Sequence, residues 1–536
     1  MTTTWNDLVT TALLGTERRA VPVGVREPGQ EPAGALLDAA AVRTVQRRAA
    51  LLPVAARARP EPAPEDGRPP LPAAARLRLE RLLADRAGAG GGGRRGGAAP
   101  DLTELLPQWL AAANGHGFRA PEALLPALLE AARARSDLRP EALALGGPRA
   151  LWLARLNPQW KYALRGDAAG GAALAASGVV AGAEGRHVWE EGLFAERVAV
   201  LAALRRRDPA AGRELLGSTW GKERAEDRLM FLDVLREQLS PADEPFLEQA
   251  LSDRSRNVRS AAAELLTTLP GSALAARMAA RARACVALDR TTDGGPRIVV
   301  EAPPECDGGM ERDGVVAKPP SGRGERSWWL SQLVEAAPLE IWCERLGVGG
   351  AAEAVALPVA DGWQADLHAA WCRAAVRQGN AEWSRALLGP AAHPPAPQGS
   401  SWLDPARLLS ALPAGERAAW VAEFIAVHGL SEAFRLLGVC AVPWAEPLGA
   451  AVVDALDSAR DAGGYPWSFS GVMGLAERCL NPAQADRLSV LTTAPGGPAV
   501  ASDYWTEAFQ RLIGTLRLRA TMQRELAEGA PEKTAR

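Results

Sequence analysis

The residues equipped for proton transfer, nucleophilic attack or metal binding are few in this chain and far apart. Its five histidines are His116, His187, His368, His393 and His428, and three of them stand beside glycine or proline. A histidine becomes a general base only when a second group orients it, so surface and capping roles are expected for all five. The six cysteines, Cys285, Cys306, Cys343, Cys372, Cys440 and Cys479, include no C-x-x-C pair and no histidine at ligand spacing. Neither a zinc site nor a disulfide framework is expected from them. Gly88, Gly90 and Gly93 satisfy G-x-G-x-x-G, but no strand precedes them and no helix start follows, as a dinucleotide site requires. Gly217 and Gly221-Lys222 lie too close together for a P-loop, and neither G-x-S-x-G nor H-E-x-x-H occurs. No catalytic residue, metal ligand or cofactor is therefore predicted. The remaining catalytic class would be an enzyme whose carboxylates assemble in space from different helices.

Binding chemistry offers more candidates. Tryptophan occurs 17 times against 3 tyrosines and 8 phenylalanines. Trp363 and Trp371 fall at helical spacing and read as core. Trp328 and Trp329 are adjacent, so they leave a helix on different sides and cannot both enter one core. They are candidate interaction residues. Asn157-Pro158-Gln159-Trp160-Lys161 follows the helical stretch 149–156 and reads as the turn that ends it, since proline disfavours a helical residue before it. Asn157, Pro158 and Trp160 are the other interaction candidates. A basic face for nucleic acid could draw on Arg205, Arg206, Arg207, Arg254, Arg256 and Arg259. Against it, 61 basic residues nearly balance 63 acidic ones, giving a net charge of −2, and Asp208, Asp253 and Glu264 lie close by.

The elements that must position such residues are helices. The chain has 536 residues, 47 % of them apolar and 23 % charged, which is a folded composition too long for one ordinary core. Only four lysines occur (Lys161, Lys222, Lys318, Lys533), while Ala, Gly, Pro and Arg abound, so arginine number reflects GC-rich codons before it reflects ligand choice. No stretch reaches the ~18 apolar residues of a spanning helix, and the first 15 residues fit no signal peptide. A cytoplasmic, membrane-free protein is expected.

Two breaks interrupt the helical pattern. A glycine run at 87–100 reads as a linker. A Gly/Pro-rich insertion at 291–326 contains the β-prone pieces Ile298–Val300 and Val315–Ala317, separated by Asp307-Gly308-Gly309, and predicts a small hairpin. The chain divides accordingly into an N-terminal helical segment (1–86), the linker, a helical region with HEAT-like repeats (101–290), the insertion, a Trp-rich helical repeat region (327–528) and a frayed tail (529–536).

The strongest periodicity runs from Ser255, with Val258, Ala261, Ala262, Leu265, Leu266 and Leu269 on one face before Pro270-Gly271. The segment before it opens Ser240-Pro241-Ala242-Asp243, a cap with proline behind it, and buries Phe246, Leu247, Ala250 and Leu251. Asp253 to Leu266, read as Asp-x-x-x-x-Val-Arg-x-x-Ala-Ala-x-x-Leu, resembles the second helix of a HEAT repeat. That resemblance implies that Asp253 and Arg259 bridge neighbouring repeats while Val258 and Leu265 fill the layer. Arg259 is expected to meet a carboxylate at the repeat edge. The fold predicted is all-α, a HEAT-like α-solenoid or multi-helical array with a small β-hairpin insertion.

A wider resemblance rests on Leu13-Leu14-Gly15-Thr16, Asn157-Pro158-Gln159-Trp160, the stretch from Trp220 to Arg277, and Arg326-Ser327-Trp328-Trp329-Leu330. Together they resemble a large uncharacterised actinobacterial family. Its members tend to be encoded beside SWIM zinc-finger proteins, MoxR-type AAA+ ATPases and von Willebrand A domain proteins. Stacked helix pairs without catalytic signatures lead to the expectation of a non-catalytic interaction scaffold or adaptor, and the family's neighbourhood suggests such an ATPase or von Willebrand A protein as its partner. The alternative expectation is a HEAT-like nucleic-acid-binding or DNA-repair protein.

Overall fold

The computed structural model describes residues 4–21, 29–49, 60–88, 102–164, 183–291, 295–392, 404–492 and 499–528. Gly90, Gly93, His393, most of the predicted linker and the predicted tail lie outside them. The fold is all-α, a multi-helical array in which the only sheet among the described residues is one two-stranded antiparallel hairpin. No described helix is long and apolar enough to cross a membrane.

The chain forms two compact units, residues 1–63 and 64–536. The first contains helices Trp5–Leu14 and Pro32–Ala49, packed on each other around Leu8, Thr11, Ala35 and Leu36. Thr4 and Asp7 form a reciprocal capping box at its start, satisfying two amide groups that the helix cannot. The helix Ala73–Gly88, upstream of the glycine run, belongs to the second unit, where Ala75, Leu79 and Leu82 are fully buried.

Within the second unit helices pack on a neighbour one or two places along the chain. Phe194–Arg207 packs on Pro209–Thr219 and on Ala225–Val234; the latter packs on Arg256–Thr267, which also meets Glu244–Ala250 and Ala273–Cys285. The succession continues through Glu325–Ala336, Gln364–Arg377, Ala381–Leu388, Pro405–Ser410, Ala414–Leu437 and Glu446–Asp461. One apolar core therefore runs from Trp189 to Leu516. The expected faces supply it: Val258, Ala262, Leu265 and Leu266 are at most 1 % exposed, and Leu339, Trp342, Leu346, Leu367 and Trp371 are completely covered. Asp208, Asn380 and Asp404 cap the helices that follow them, accepting amide hydrogens of the first turns.

A second core, from Leu71 to Ala163, is completed by Met522 and Leu526 of the last helix, Ala499–Ala527. That helix gives Trp505, Phe509 and Leu512 to the first core, so it straddles both. Arg78 and Glu525 lock the junction with an ion pair of 2.7 Å, and Gln108 donates to the Arg478 carbonyl. Helix Leu102–Gly115 thus packs on the C-terminal helix, and its Gln108 also reaches Arg478 of helix Ser470–Cys479, 370 residues away in sequence.

The hairpin corrects the prediction in half. Strand β2, Arg297–Val300, includes the expected Ile298–Val300, but its partner is β1, Val286–Asp289, in the register Val286 to Val300 and Leu288 to Ile298. Val315–Ala317 is not a strand. Asp307-Gly308-Gly309 is not a hairpin turn either: Asp307 accepts the Met310 amide and starts the short helix Gly308–Arg312. The reason is that β1 follows helix Ala273–Cys285 without any turn residue to mark it, while the 307 carboxylate finds a helix to cap.

Candidate functional site

Successive helices are tied by arginine–carboxylate pairs, and these decide which arginines remain to bind anything else. Arg228 pairs with Asp253 at 2.9 Å, Arg277 with Glu248 at 3.0 Å, and Arg197 with Glu223. Asp253 thereby ties the turn before Arg256–Thr267 to the helix Ala225–Val234. Arg259 does not reach a carboxylate: it donates to the backbone carbonyls of Asp253 and Arg254 at 2.8 and 3.2 Å. The nearby Asp253 carboxylate is already engaged by Arg228 and by the Ser255 amide. Ser255 holds the cap position without a side-chain bond of its own.

Arg205, one of the predicted basic-face residues, is completely buried. Its guanidinium meets Asp243 at 2.9 Å, and it also donates to the carbonyls of Pro209, Leu235, Glu237 and Gln238. Arg213 reaches the same carboxylate at 2.8 Å. Burial alone would raise the Asp243 pKa, but the hydrogen bonds from Arg205, Arg213 and the Ser240 amide outweigh it and hold the group below its ordinary 3.8. Asp313, equally enclosed, is lowered in the same way by Arg277 and Arg281. A carboxylate with a depressed folded-state pKa contributes stability that is complete above its unfolded value and lost as pH falls through the folded one. The urea midpoint should accordingly hold steady above about pH 5 and drop below about pH 4, and Asp243→Asn should flatten that acid limb. An acid limb unchanged in the variant would contradict this placement.

A cavity of about 900 Å³ is built from five elements of the array. Arg236 comes from the turn after Ala225–Val234, Glu264 and Thr268 from the end of Arg256–Thr267, and Arg323 from the loop before Glu325–Ala336. Glu335 lies on that helix, Cys372, Arg373 and Arg377 on Gln364–Arg377, and Arg407 on Pro405–Ser410 behind its cap Asp404. Five arginines thus face three carboxylates. Glu335 is shared by Arg373, at 2.6 Å, and Arg377, while Arg236 spans Asp233 and Glu264 at 2.8 and 2.9 Å. Arg407 is 74 % exposed and only 3.7 Å from Asp404, so it is available to a ligand. The one nucleophile present is unsuited to attack: burial pushes the Cys372 thiol up to about 12, and the neighbouring Arg373 does not offset it.

The two tryptophans predicted as interaction residues are not among those lining the cavity; they fasten the loop that leads to Arg323. Trp328 and Trp329 donate their indole N–H groups to the carbonyls of Val316 and Ala317, both at 2.7 Å. Trp329 is buried and Trp328 half-buried, with the Arg323 guanidinium 5.7 Å above its ring. Gln332 accepts the Val316 amide, and Asp313 is clamped by Arg277 and Arg281, so the segment 313–317 is fastened along its length. Gly314 makes the approach possible. Its φ is +94°, and a Cβ there would sit 2.6 Å from the Ala263 Cβ. Gly314→Ala should therefore cost about 1–3 kcal/mol, read as a lowered unfolding midpoint, and a neutral result would mean that the loop does not press on this helix.

Asn157, Pro158 and Trp160 lie elsewhere. Asn157 ends the helix Arg139–Leu156 and its side chain accepts the Gln159 amide at 3.0 Å. Trp160 is 8 % exposed, donates to Glu130 at 2.7 Å and packs in the second core. The motif is a pinned turn, and none of its residues reaches the arginine cavity. The histidines stay apart as well: His368 is buried against Trp371 with its pKa lowered by burial, and His428 meets the Ala391 carbonyl. Among the described residues no three His, Cys, Asp or Glu side chains form a metal-sized group. The cavity arginines were missed by sequence reasoning, because their positions run from 236 to 407 and only packing brings them together.

Residues 7–526 match the Family of unknown function (DUF5691). The chain belongs to this family. The match takes in all four segments that carried the resemblance, from Leu13 to Leu330, and agrees with membership of an uncharacterised family. No curated protein matches the chain, and no solved structure does. For this DUF5691 chain the site must accordingly be read from its own side chains.

Proposed function

We propose that this protein is a non-catalytic interaction scaffold, a HEAT-like array of stacked helix pairs that holds another protein in its arginine-lined cavity. The observation that supports this reading most is the cavity's chemistry: exposed cations beside ion pairs, with its only thiol held neutral. Such a lining recognises charge and shape without transforming a substrate. Stacked helix pairs offer extended binding surfaces of this kind. The family resemblance supplies candidate partners, a MoxR-type AAA+ ATPase or a von Willebrand A domain protein, in the cytoplasm of an actinobacterium.

Co-purification with a tagged chain from such a host tests the proposal. Recovery of one of these partners in near-stoichiometric amount is expected. A chain that stays monomeric and partnerless under mild crosslinking overturns it.

The cation excess in the cavity also favours the second reading, nucleic-acid binding. Against that reading, Arg205 is buried on Asp243, Arg206 pairs with Glu237, and carboxylates interrupt the cavity's cations. Undetectable binding to duplex DNA at low salt removes it.

A further inference from the structure

A second cavity, about 210 Å³, opens along the same helix as the first. Arg256 and Ser260 line the smaller one, Glu264 and Thr268 the larger, and a spacing of four residues places all of them on one helix face. The segment 313–323 borders both, giving Lys318 to the smaller cavity and Arg323 to the larger. From Arg256 to Thr268 this face is about 18 Å long, the span of roughly six extended residues. Its occupant is therefore elongated. The charges along it are mixed but unbalanced: Arg256, Arg259 and Lys318 oppose Glu311 at one end, and five arginines oppose three carboxylates at the other. Interleaved carboxylates repel a uniformly charged phosphate backbone, whereas a polypeptide can set its own acids against the free cations and leave gaps elsewhere.

We propose that an extended, acidic polypeptide segment of a partner lies along helix Arg256–Thr267, its carboxylates held by Arg256 and Lys318 at one end and by Arg323 and Arg407 at the other. This deepens the scaffold reading and rests on it. Trp328 and Trp329 act as positioning residues, since they fix the carbonyls just before Lys318, and the Arg323 guanidinium lies over the Trp328 ring.

The probe is a fluorescein-labelled ten-residue peptide of alternating Glu and Ser, titrated with the full-length protein and followed by polarisation. Its Gln–Ser counterpart and a single-stranded oligonucleotide serve as comparisons. Binding at low salt that weakens as salt is added is expected, with the Gln peptide at least about tenfold weaker. Arg256→Ser and Arg407→Ser each change an exposed side chain, so circular dichroism should show both folded. Each should lose part of the affinity, and the double variant should lose at least about tenfold.

Absence of Glu-peptide binding at low salt overturns the proposal, as does tighter binding of the oligonucleotide. Loss confined to one variant shows an occupant limited to one cavity and also overturns it. If the double variant still captures the native partner undiminished, the groove inference falls while the scaffold reading stands. If the wild type captures none, the scaffold reading itself fails.

Discussion

Asp in place of Leu265 lowers the thermal unfolding midpoint sharply, by a destabilisation of several kcal/mol, while Arg256→Ala changes stability by less than about 0.5 kcal/mol. Leu265 is 1 % exposed and lies in the core that runs from Trp189 to Leu516. A carboxylate placed there has neither water nor a cation, so it must either unfold its surroundings or take up a proton. Arg256, nine residues earlier on the same helix, is exposed. Because Arg256–Thr267 is packed between neighbours on both sides, the lesion spreads, and the transition should broaden as well as shift. Equal midpoints for the two variants, followed by circular dichroism, would contradict the helix phase and the repeat assignment built on it.

Arg205→Ala produces the second large loss, about 3–5 kcal/mol. Removing the guanidinium leaves Asp243, itself completely buried, with Arg213 as its remaining cation. It also strips the donors from the carbonyls of Leu235, Glu237 and Gln238, in a turn where Gln238 already holds a left-handed φ of 54°. For that reason Arg205→Met with Asp243→Asn should restore only part of the loss. Full recovery in the double variant, measured by urea unfolding, would show that the carboxylate alone is served by Arg205 and that the carbonyl contacts are incidental.

What the sequence discloses here is each helix's own buried face. Val258 and Leu265, Trp342 and Trp371, and the strand residues Ile298–Val300 follow from period and propensity, and each sits where those rules put it. The basic run Arg205–Arg207 misled because it was read as composition. Its phase carried the right signal, since Val198, Leu201 and Arg205 recur at intervals of three and four and share the buried face. Strand β1 was hidden by its direct fusion to a helix. The union of residues 102–164 with the last helix was hidden too, because periodicity says which face is buried and nothing of what buries it. The arginine cavity was illegible for the same reason. Trp328 and Trp329 were expected to part to different sides, yet both pack on the same core and both indoles turn to the loop at 316–317, a geometry set by two backbone carbonyls and by no helical rule.

The lysine scarcity offers a direct measurement of the central claim that a partner is held along helix Arg256–Thr267. Lys318 is exposed in the smaller cavity, while Lys161 and Lys222, also exposed, lie outside both cavities. A zero-length carbodiimide joins an amine to a carboxylate only where the two already touch. Applied to the co-purified complex and read by peptide mass spectrometry, it should couple the Lys318 amine to glutamates or aspartates of the partner. A retained partner that couples only through Lys161 or Lys222, or through no lysine of this chain, would contradict the account.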